Sequence, residues 1–282
     1  GRHGSRKPGS QNSGSQNSGP QNYGPQNSGL RIPKVEFKDM EFVYAGAKEP
    51  ALKDISFCAM AGQTIGVIGG TGSGKSTLVN LIPRFYDAAS GQVLVDGTDV
   101  KQYSLDELRD KTGVVPQKSV LFKGTLRDNM RWGKQDASDE EIYRALDTAQ
   151  AREFVDSKGE GLDLYIDQGG HNLSGGQRQR LTIARALVRR PEILIMDDSA
   201  SALDFATDAR LRKAIRENTG DMTVFIVSQR ATTIKSADTI LVLDEGRLAG
   251  MGTHKELLKD CQVYREICLS QLSKEEVERD EQ

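Results

Sequence analysis

Cysteine is scarce in this chain of 282 residues. There are three, Cys58, Cys261 and Cys268, an odd number with no Cys-x-x-Cys pair. That argues against a disulfide framework and for a reducing, cytosolic compartment. Long apolar runs are missing too: nothing approaches the roughly 18 consecutive apolar residues that mark a membrane-spanning helix. Charge of one sign is also lacking. Lys and Arg number 38 against 40 Asp and Glu, for a net charge of −2, so no pull toward nucleic acid or an anionic membrane is implied. No signal-peptide pattern opens the chain and position 1 is Gly rather than Met, so it reads as an excised or tagged fragment. Residues 1–29 hold almost no apolar side chains. Four tandem pentads of the Gln-Asn-Ser-Gly type run from Ser10 to Gly29. Such a stretch has nothing to bury against its ordering entropy. It reads as a flexible linker over residues 1–31, spanning about 30 Å as a random coil, or as a Gln/Asn-rich interaction tail.

What the chain does have is Gly69-Gly70-Thr71-Gly72-Ser73-Gly74-Lys75-Ser76-Thr77, a match to G-x-x-x-x-G-K-[ST]. Thr64–Ile68 before it reads as a short apolar strand, and Leu78–Ile82 after it carries apolar residues at helical spacing. Strand, glycine loop and helix are the context this motif needs. The glycines let successive backbone N–H groups turn inward onto phosphate oxygens, at the positive end of a helix dipole. In that mechanism Lys75 reaches the β- and γ-phosphates and the Ser76 hydroxyl takes a place on Mg²⁺.

Around the loop the pattern is α/β. Val35–Tyr44 and Leu52–Phe57 alternate as half-buried strands, with Ala45–Pro50 as the turn between them, and Gly91–Gly97 adds another strand; together they predict an antiparallel layer. Ser104/Glu107 and Ser138/Glu141 have capping-box spacing, and the second opens a helix with Ile142, Ala145, Leu146 and Ala149 on one face. Ser174–Leu187 reads as a long helix. Ile193–Met196, Val224–Val227 and Ile240–Leu243 are continuous apolar runs, as in a parallel sheet covered on both faces, and Asp244–Arg247 predicts a hairpin turn. Thr253 and Glu256 cap what reads as the last helix, and residues 273–282 form a charged, frayed tail. Trp132 is expected to fill a gap in the core, His171 to sit exposed in a loop and His254 to be an ordinary first-turn residue.

Two further sites complete the chemistry. Asp197 ends the run Ile193–Met196, where a carboxylate can orient Mg²⁺. Leu173-Ser174-Gly175-Gly176-Gln177 starts a helix with a Ser cap, a Gln three residues on, and two glycines that leave backbone N–H groups bare.

On these residues the chain resembles the nucleotide-binding domain of ABC transporters, exporter type, over about residues 33–272. The resemblance implies an ABC-type P-loop NTPase domain across residues 32–272: a RecA-like α/β core, an antiparallel β subdomain, and a helical subdomain at about 117–173. It implies ATP and Mg²⁺ as cofactors, with Ser76, Gln117 and Asp197 toward the metal. Tyr44 matches the aromatic that stacks on adenine; read alone, the alternative for it is a strand-pairing aromatic. Gln117, read alone, is a polar loop residue. In this family Ser174–Gln177 closes over ATP held by a second domain, and Ser201-Ala202-Leu203-Asp204 speaks across that dimer.

The sequence departs from the family at two positions. Asp198 stands where a glutamate polarises the attacking water, and Gln229 where a histidine meets the γ-phosphate. Asp is one methylene shorter than Glu, and a displacement of about 1 Å can cost on the order of 100-fold in rate. Gln229 donates a hydrogen bond but carries no charge. The implied reading is a site that binds ATP through Lys75 and its loop and hydrolyses it weakly through Asp198. Its partner would be a different chain with a working glutamate, both joined to an exporter's transmembrane domain at the cytoplasmic face of the membrane. A homodimer with Asp198 as a slow base, a soluble ABC ATPase and a nucleotide-gated dimerisation module are the rivals. No nucleic-acid partner is expected.

Overall fold

The structure, a computed structural model, describes residues 31–282. The pentad repeats and all but the last residue of the linker expected at 1–31 lie outside the described residues.

The chain begins with an antiparallel pair, β1 (Val35–Phe42) and β2 (Leu52–Ala59), in which Val35 faces Ala59 and Phe37 faces Phe57. The alternation slips once. Phe37 and Met40 are both buried although three residues apart, because a bulge at Asp39 (φ 46°) inserts an extra residue. β3 (Thr64–Gly69) leads into α1 (Lys75–Asn80), and β4 (Ser90–Val95) and β5 (Thr98–Asp99) return to the first layer. That sheet runs β2-β1-β4-β5 and is antiparallel throughout, as the alternation predicts.

Next come α2 (Leu105–Lys111), β6 (Thr112–Val115), the small strand β7 (Gly124–Thr125), α3 (Leu126–Arg131), α4 (Asp139–Thr148), α5 (Arg152–Ser157) and β8 (Tyr165–Ile166), which pairs with β7. The expected boxes at Ser104/Glu107 and Ser138/Glu141 are both formed, and Thr125/Asp128 forms another. The long helix α6 (Gly175–Val188) precedes β9 (Ile193–Asp197), α7 (Phe205–Asn218), β10 (Thr223–Val227), α8 (Ala231–Ile234), β11 (Thr239–Asp244) and β12 (Arg247–Gly252).

The large sheet has the order β12-β11-β3-β10-β9-β6. All its pairings are parallel except the predicted hairpin β11–β12. Its apolar runs are buried on both faces. Ile193 and Ile195 join Phe57, Phe225 and Leu78 in a core against the antiparallel layer, whereas Leu194 and Met196 join Leu181, Leu211 and Ile226 beneath the helices. Strand β6 was not legible: Thr-Gly-Val-Val is too short to show a period, and Gly113 interrupts it. Only glycine fits there, since a Cβ would lie 2.8 Å from the Pro191 ring.

The C-terminus departs from expectation. The helix capped by Thr253 and Glu256, α9 (His254–Asp260), is followed by α10 (Gln262–Gln271) and α11 (Lys274–Glu281). The expected frayed tail is therefore helical. Ser273 and Glu276 cap it, Val277 is fully buried, and Asp280 accepts from Lys235 and lies 3.3 Å from His254. Its single apolar contact is hidden among charges in the sequence. His254 also meets the Tyr264 hydroxyl at 2.7 Å, so it ties three helices together rather than sitting idle in a first turn. Trp132 is the other correction. It is 67% exposed, with its ring against Phe122 at 4.9 Å, because the short α3 ends just before it at the surface.

Candidate functional site

Parallel strands bring their carboxyl ends to one edge, and there the site residues meet. The glycine loop joins β3 to α1 as expected. A Cβ on Gly69 would lie 2.3 Å from the Leu243 carbonyl, and Gly74 turns into α1 at φ 99°, a conformation that side chains resist. β9 and β10 pair with Val227 beside Asp197, and the Asp198 amide donates to the Val227 carbonyl (2.8 Å). The two strand tips, Asp197-Asp198 and Ser228-Gln229, are thereby held next to the loop.

One cleft is lined by Thr71, Gly72 and Gly74–Thr77 of the loop together with Gln117, Asp197, Asp198, Ser228 and Gln229. Lys75 is buried, and its ammonium donates to the carbonyls of Gly69 (2.9 Å) and Gly70 (2.8 Å). Burial lowers its pKa against the opposing pull of Asp198 and Asp197. The Ser76 hydroxyl donates to Asp197 (2.8 Å), and the Gln117 amide donates to Asp198 (3.4 Å). A hydroxyl, a carboxylate and an amide oxygen form a hard donor set suited to Mg²⁺. Among the described residues no three His, Cys, Asp or Glu side chains converge on a point. A divalent ion here would take most of its shell from phosphate oxygens and water, as Mg²⁺ does in nucleotide sites.

Gly69, Gly70 and Ser73 of the loop lie outside that lining, as do Tyr44, Ser174–Gln177 and Asp204. Tyr44 is edge-on to Phe42 (4.7 Å) and to Tyr86 (5.5 Å), and its hydroxyl meets Thr77 at 2.5 Å. It therefore packs with two aromatic neighbours and touches the loop as well. Ser174 caps α6 with Gln177 in a reciprocal pair, each bond 3.1 Å, leaving Gly175 and Gly176 at the bare helix start. A Cβ on Gly176 would stand 3.4 Å from the Ala202 carbonyl, so this turn abuts the Ser201–Asp204 loop. Asp204 caps α7 through the Thr207 amide (2.8 Å).

Sequence reasoning missed Ser228 and Arg230. Ser228 is buried and accepts from the Arg230 amide (3.0 Å); Arg230 donates to the Ser201 carbonyl (3.0 Å) and covers the Phe205 ring. Their position just past an apolar strand, like that of Asp197 and Asp198, was the available signal.

Burial raises the pKa of Asp197, opposed by the Ser76 hydrogen bond and by Lys75. Burial, and then the charge on Asp197, raises that of Asp198, despite the attraction of Arg230 and Lys75. A carboxyl whose folded pKa lies above its unfolded value stabilises the fold at acid pH, and that contribution is lost as pH rises through the raised value. At neutral pH the ionised Asp198 is therefore a net cost. Asp198→Asn should raise the midpoint of thermal unfolding at pH 7–8, and the gain should vanish below the ordinary Asp value of 3.8. Melting curves from pH 3.5 to 8 check this; a variant destabilised at pH 7 contradicts it.

A glycine loop between strand and helix, with a carboxylate at the tip of the second strand away in a parallel sheet, defines an α/β P-loop NTPase domain. The profile described as "ABC transporter" matches residues 52–201, more than half of the chain, and the chain belongs to that family. It is 48% identical to an uncharacterized ABC transporter ATP-binding protein of Mycobacterium tuberculosis, over 82% of this chain and 40% of that protein. It is 43% identical to an ATP-dependent lipid A-core flippase of Haemophilus influenzae, over 85% of this chain and 41% of the relative. Its fold is similar to that of a bacterial Atm1-family ABC exporter with ATP bound, with a TM-score of 0.81 at 38% identity, over 86% of this chain and 42% of the other. The chain thus spans about two fifths of the length of these proteins. Among the described residues no helix is long and apolar enough to cross a membrane.

Proposed function

We propose that this chain is the ATP-binding domain of an ABC exporter whose own site holds MgATP and hydrolyses it slowly. The observation that carries this reading is the cleft itself. Lys75, Ser76 and Asp197, suited to grip a triphosphate and its metal, share it with Asp198 and Gln229, which are poorly suited to activate water. The loop amides and the buried Lys75 ammonium hold the β- and γ-phosphate oxygens. Mg²⁺, when bound beside Ser76 and Asp197, neutralises charge developing on the transferred phosphoryl group. Asp198, held by the Gln117 amide, is a carboxylate one methylene short of the reach expected of the base. Gln229 offers a neutral hydrogen bond in place of a charged one.

Ser174–Gln177 is not among the residues that line the cleft of its own chain, and it keeps a complete cap. It serves the ATP of a second nucleotide-binding domain, a different chain with a glutamate at the position of Asp198. ATP joins the two domains, hydrolysis in the partner's competent site parts them, and the motion passes to the exporter's transmembrane helices at the cytoplasmic face of the membrane. The likeness to an Atm1-family exporter and to a lipid A-core flippase supports the exporter assignment. A homodimer with Asp198 as a slow base is favoured by one feature, the raised pKa of that carboxyl.

Phosphate release by this chain alone, and mixed with a second domain carrying Glu and His at the two positions, separates these readings. The chain alone should turn over slowly. The mixture should turn over faster, and Ser174→Ala in this chain should abolish the gain. Brisk turnover by the chain alone, lost in Asp198→Asn, overturns the proposal. A mixture no faster than the partner domain by itself leaves only a dimerisation module.

A further inference from the structure

The segment that carries Gln229 has few backbone partners of its own. β10 ends at Val227 and α8 begins at Ala231, so the three intervening residues belong to neither element. α8 has no side-chain N-cap, because Arg230 occupies the cap position and a guanidinium has no acceptor to offer; it donates instead to the Ser201 carbonyl. The Arg230 amide is satisfied by Ser228. The Ser228 amide donates to the Val67 carbonyl and the Arg230 carbonyl accepts from the Thr233 amide, and among the remaining groups are the Gln229 carbonyl and the Ala231 amide, which flank Arg230.

Both are taken by one side chain from 40 residues away. The Gln271 amide nitrogen donates to the Gln229 carbonyl (2.6 Å), and the Gln271 amide oxygen accepts from the Ala231 amide (2.8 Å). A primary amide carries a donor and an acceptor side by side on separate atoms, so it meets a C=O and an N–H together, as a neighbouring strand would. The bidentate fit also fixes which end of the amide is which. Gln271 is itself the last residue of α10, whose Tyr264 and Cys268 are fully buried under β11, β12 and α9. Next to it the Leu272 amide closes the helix on the Cys268 carbonyl (2.8 Å). The helix is held by its buried Tyr264 and Cys268, while Gln271 and Gln229 are themselves both exposed.

We infer that Gln271 is a positioning residue for the nucleotide site: it fixes the backbone at Gln229 and so sets where the Gln229 side chain meets the terminal phosphate. This rests on the reading of the Gln229 cleft as an ATP site. A group aimed at the γ-phosphate discriminates ATP from ADP, and one that merely supports the fold does not.

The test is ATP and ADP affinity, each with Mg²⁺, measured on the full chain by titration of a fluorescent nucleotide analogue and its displacement. Gln271→Ala should lower the ratio of ATP to ADP affinity about five-fold, with ADP affinity and the unfolding midpoint nearly unchanged. Gln271→Glu keeps the acceptor for Ala231 but sets a carboxylate against the Gln229 carbonyl, and should lower the ratio at least as far. In a Gln229→Ala background, Gln271→Ala should change the ratio no further, the non-additivity expected of two residues acting through one contact. Equal losses for ATP and ADP with a falling midpoint mean a structural role and overturn the inference. So does a full five-fold loss in the Gln229→Ala background. If the parent chain binds neither nucleotide, the proposed function falls with it. If ATP binds, Gln229→Ala lowers the ratio and Gln271→Ala does not, only the present inference fails.

Discussion

Replacing Lys75 with methionine will weaken MgATP binding by about 100-fold while leaving the fold intact. The ammonium is buried and bonded to two loop carbonyls, Gly69 and Gly70. Hydrogen bonds made by a charged group contribute about 1.5–3 kcal/mol each, and each 1.4 kcal/mol is a factor of ten in affinity. Exchange of those carbonyls for phosphate oxygens therefore accounts for about two orders of magnitude. The stability cost is small because burial already disfavours the charged lysine, as its lowered pKa shows. Methionine keeps most of the apolar stem that packs in the cleft. Nucleotide titration and a melting curve on the same preparation check the two halves of the prediction. Undiminished ATP affinity in a folded Lys75→Met variant would sink the assignment of Gly69–Thr77 as the phosphate cradle.

Joint replacement of Asp198 by Glu and Gln229 by His will raise phosphate release by the chain alone on the order of 100-fold. The longer carboxylate recovers about 1 Å of reach toward the water, a displacement of the size that costs about 100-fold when lost. The imidazole restores a group that can carry charge next to the terminal phosphate. Each single change will give less than the pair, since both act on one reacting centre. A structural cost attends the first. Asp198 sits at φ 47°, in the left-handed region that Asp tolerates better than Glu, so Asp198→Glu should lose about 1 kcal/mol of stability. ATP affinity should hardly change, because the loop and Lys75 are untouched. A double variant that turns over no faster than the parent would show that these two positions do not limit the rate.

Most of the site was legible because its parts are local. Gly69–Thr77 lies on one turn between one strand and one helix, and the Ser174 cap is closed by Gln177 three residues later. Asp197 is found simply by following an apolar run to its end. Residues whose role depends on a distant partner were not legible. Ser228 and Arg230 look like any polar loop until parallel pairing sets β10 beside β9. Gln271 looks like the end of a surface helix until α10 folds back against the tip of β10. Trp132 misled because a lone tryptophan usually fills a core, and only the end of α3 at the surface shows that this one does not. The α11 segment misled because one buried Val277 among charges leaves no periodic trace.

The sequence by itself determined the α/β class, the antiparallel layer, the hairpin at Asp244–Arg247, and the identity of the loop, the strand-tip carboxylates and the capped helix start. Apolar periodicity, turn chemistry and capping act over a few residues, and each is written in consecutive letters. The tertiary structure decided that Lys75, Gln117, Asp198 and Gln229 open on one cleft, that Tyr44 meets Thr77, and that Ser174–Gln177 does not line that cleft. It also decided that Gln271, at the end of α10, bonds to the backbone on either side of Arg230. Those are contacts between positions tens to hundreds of residues apart. Only strand order and the packing of one layer on another bring them within reach.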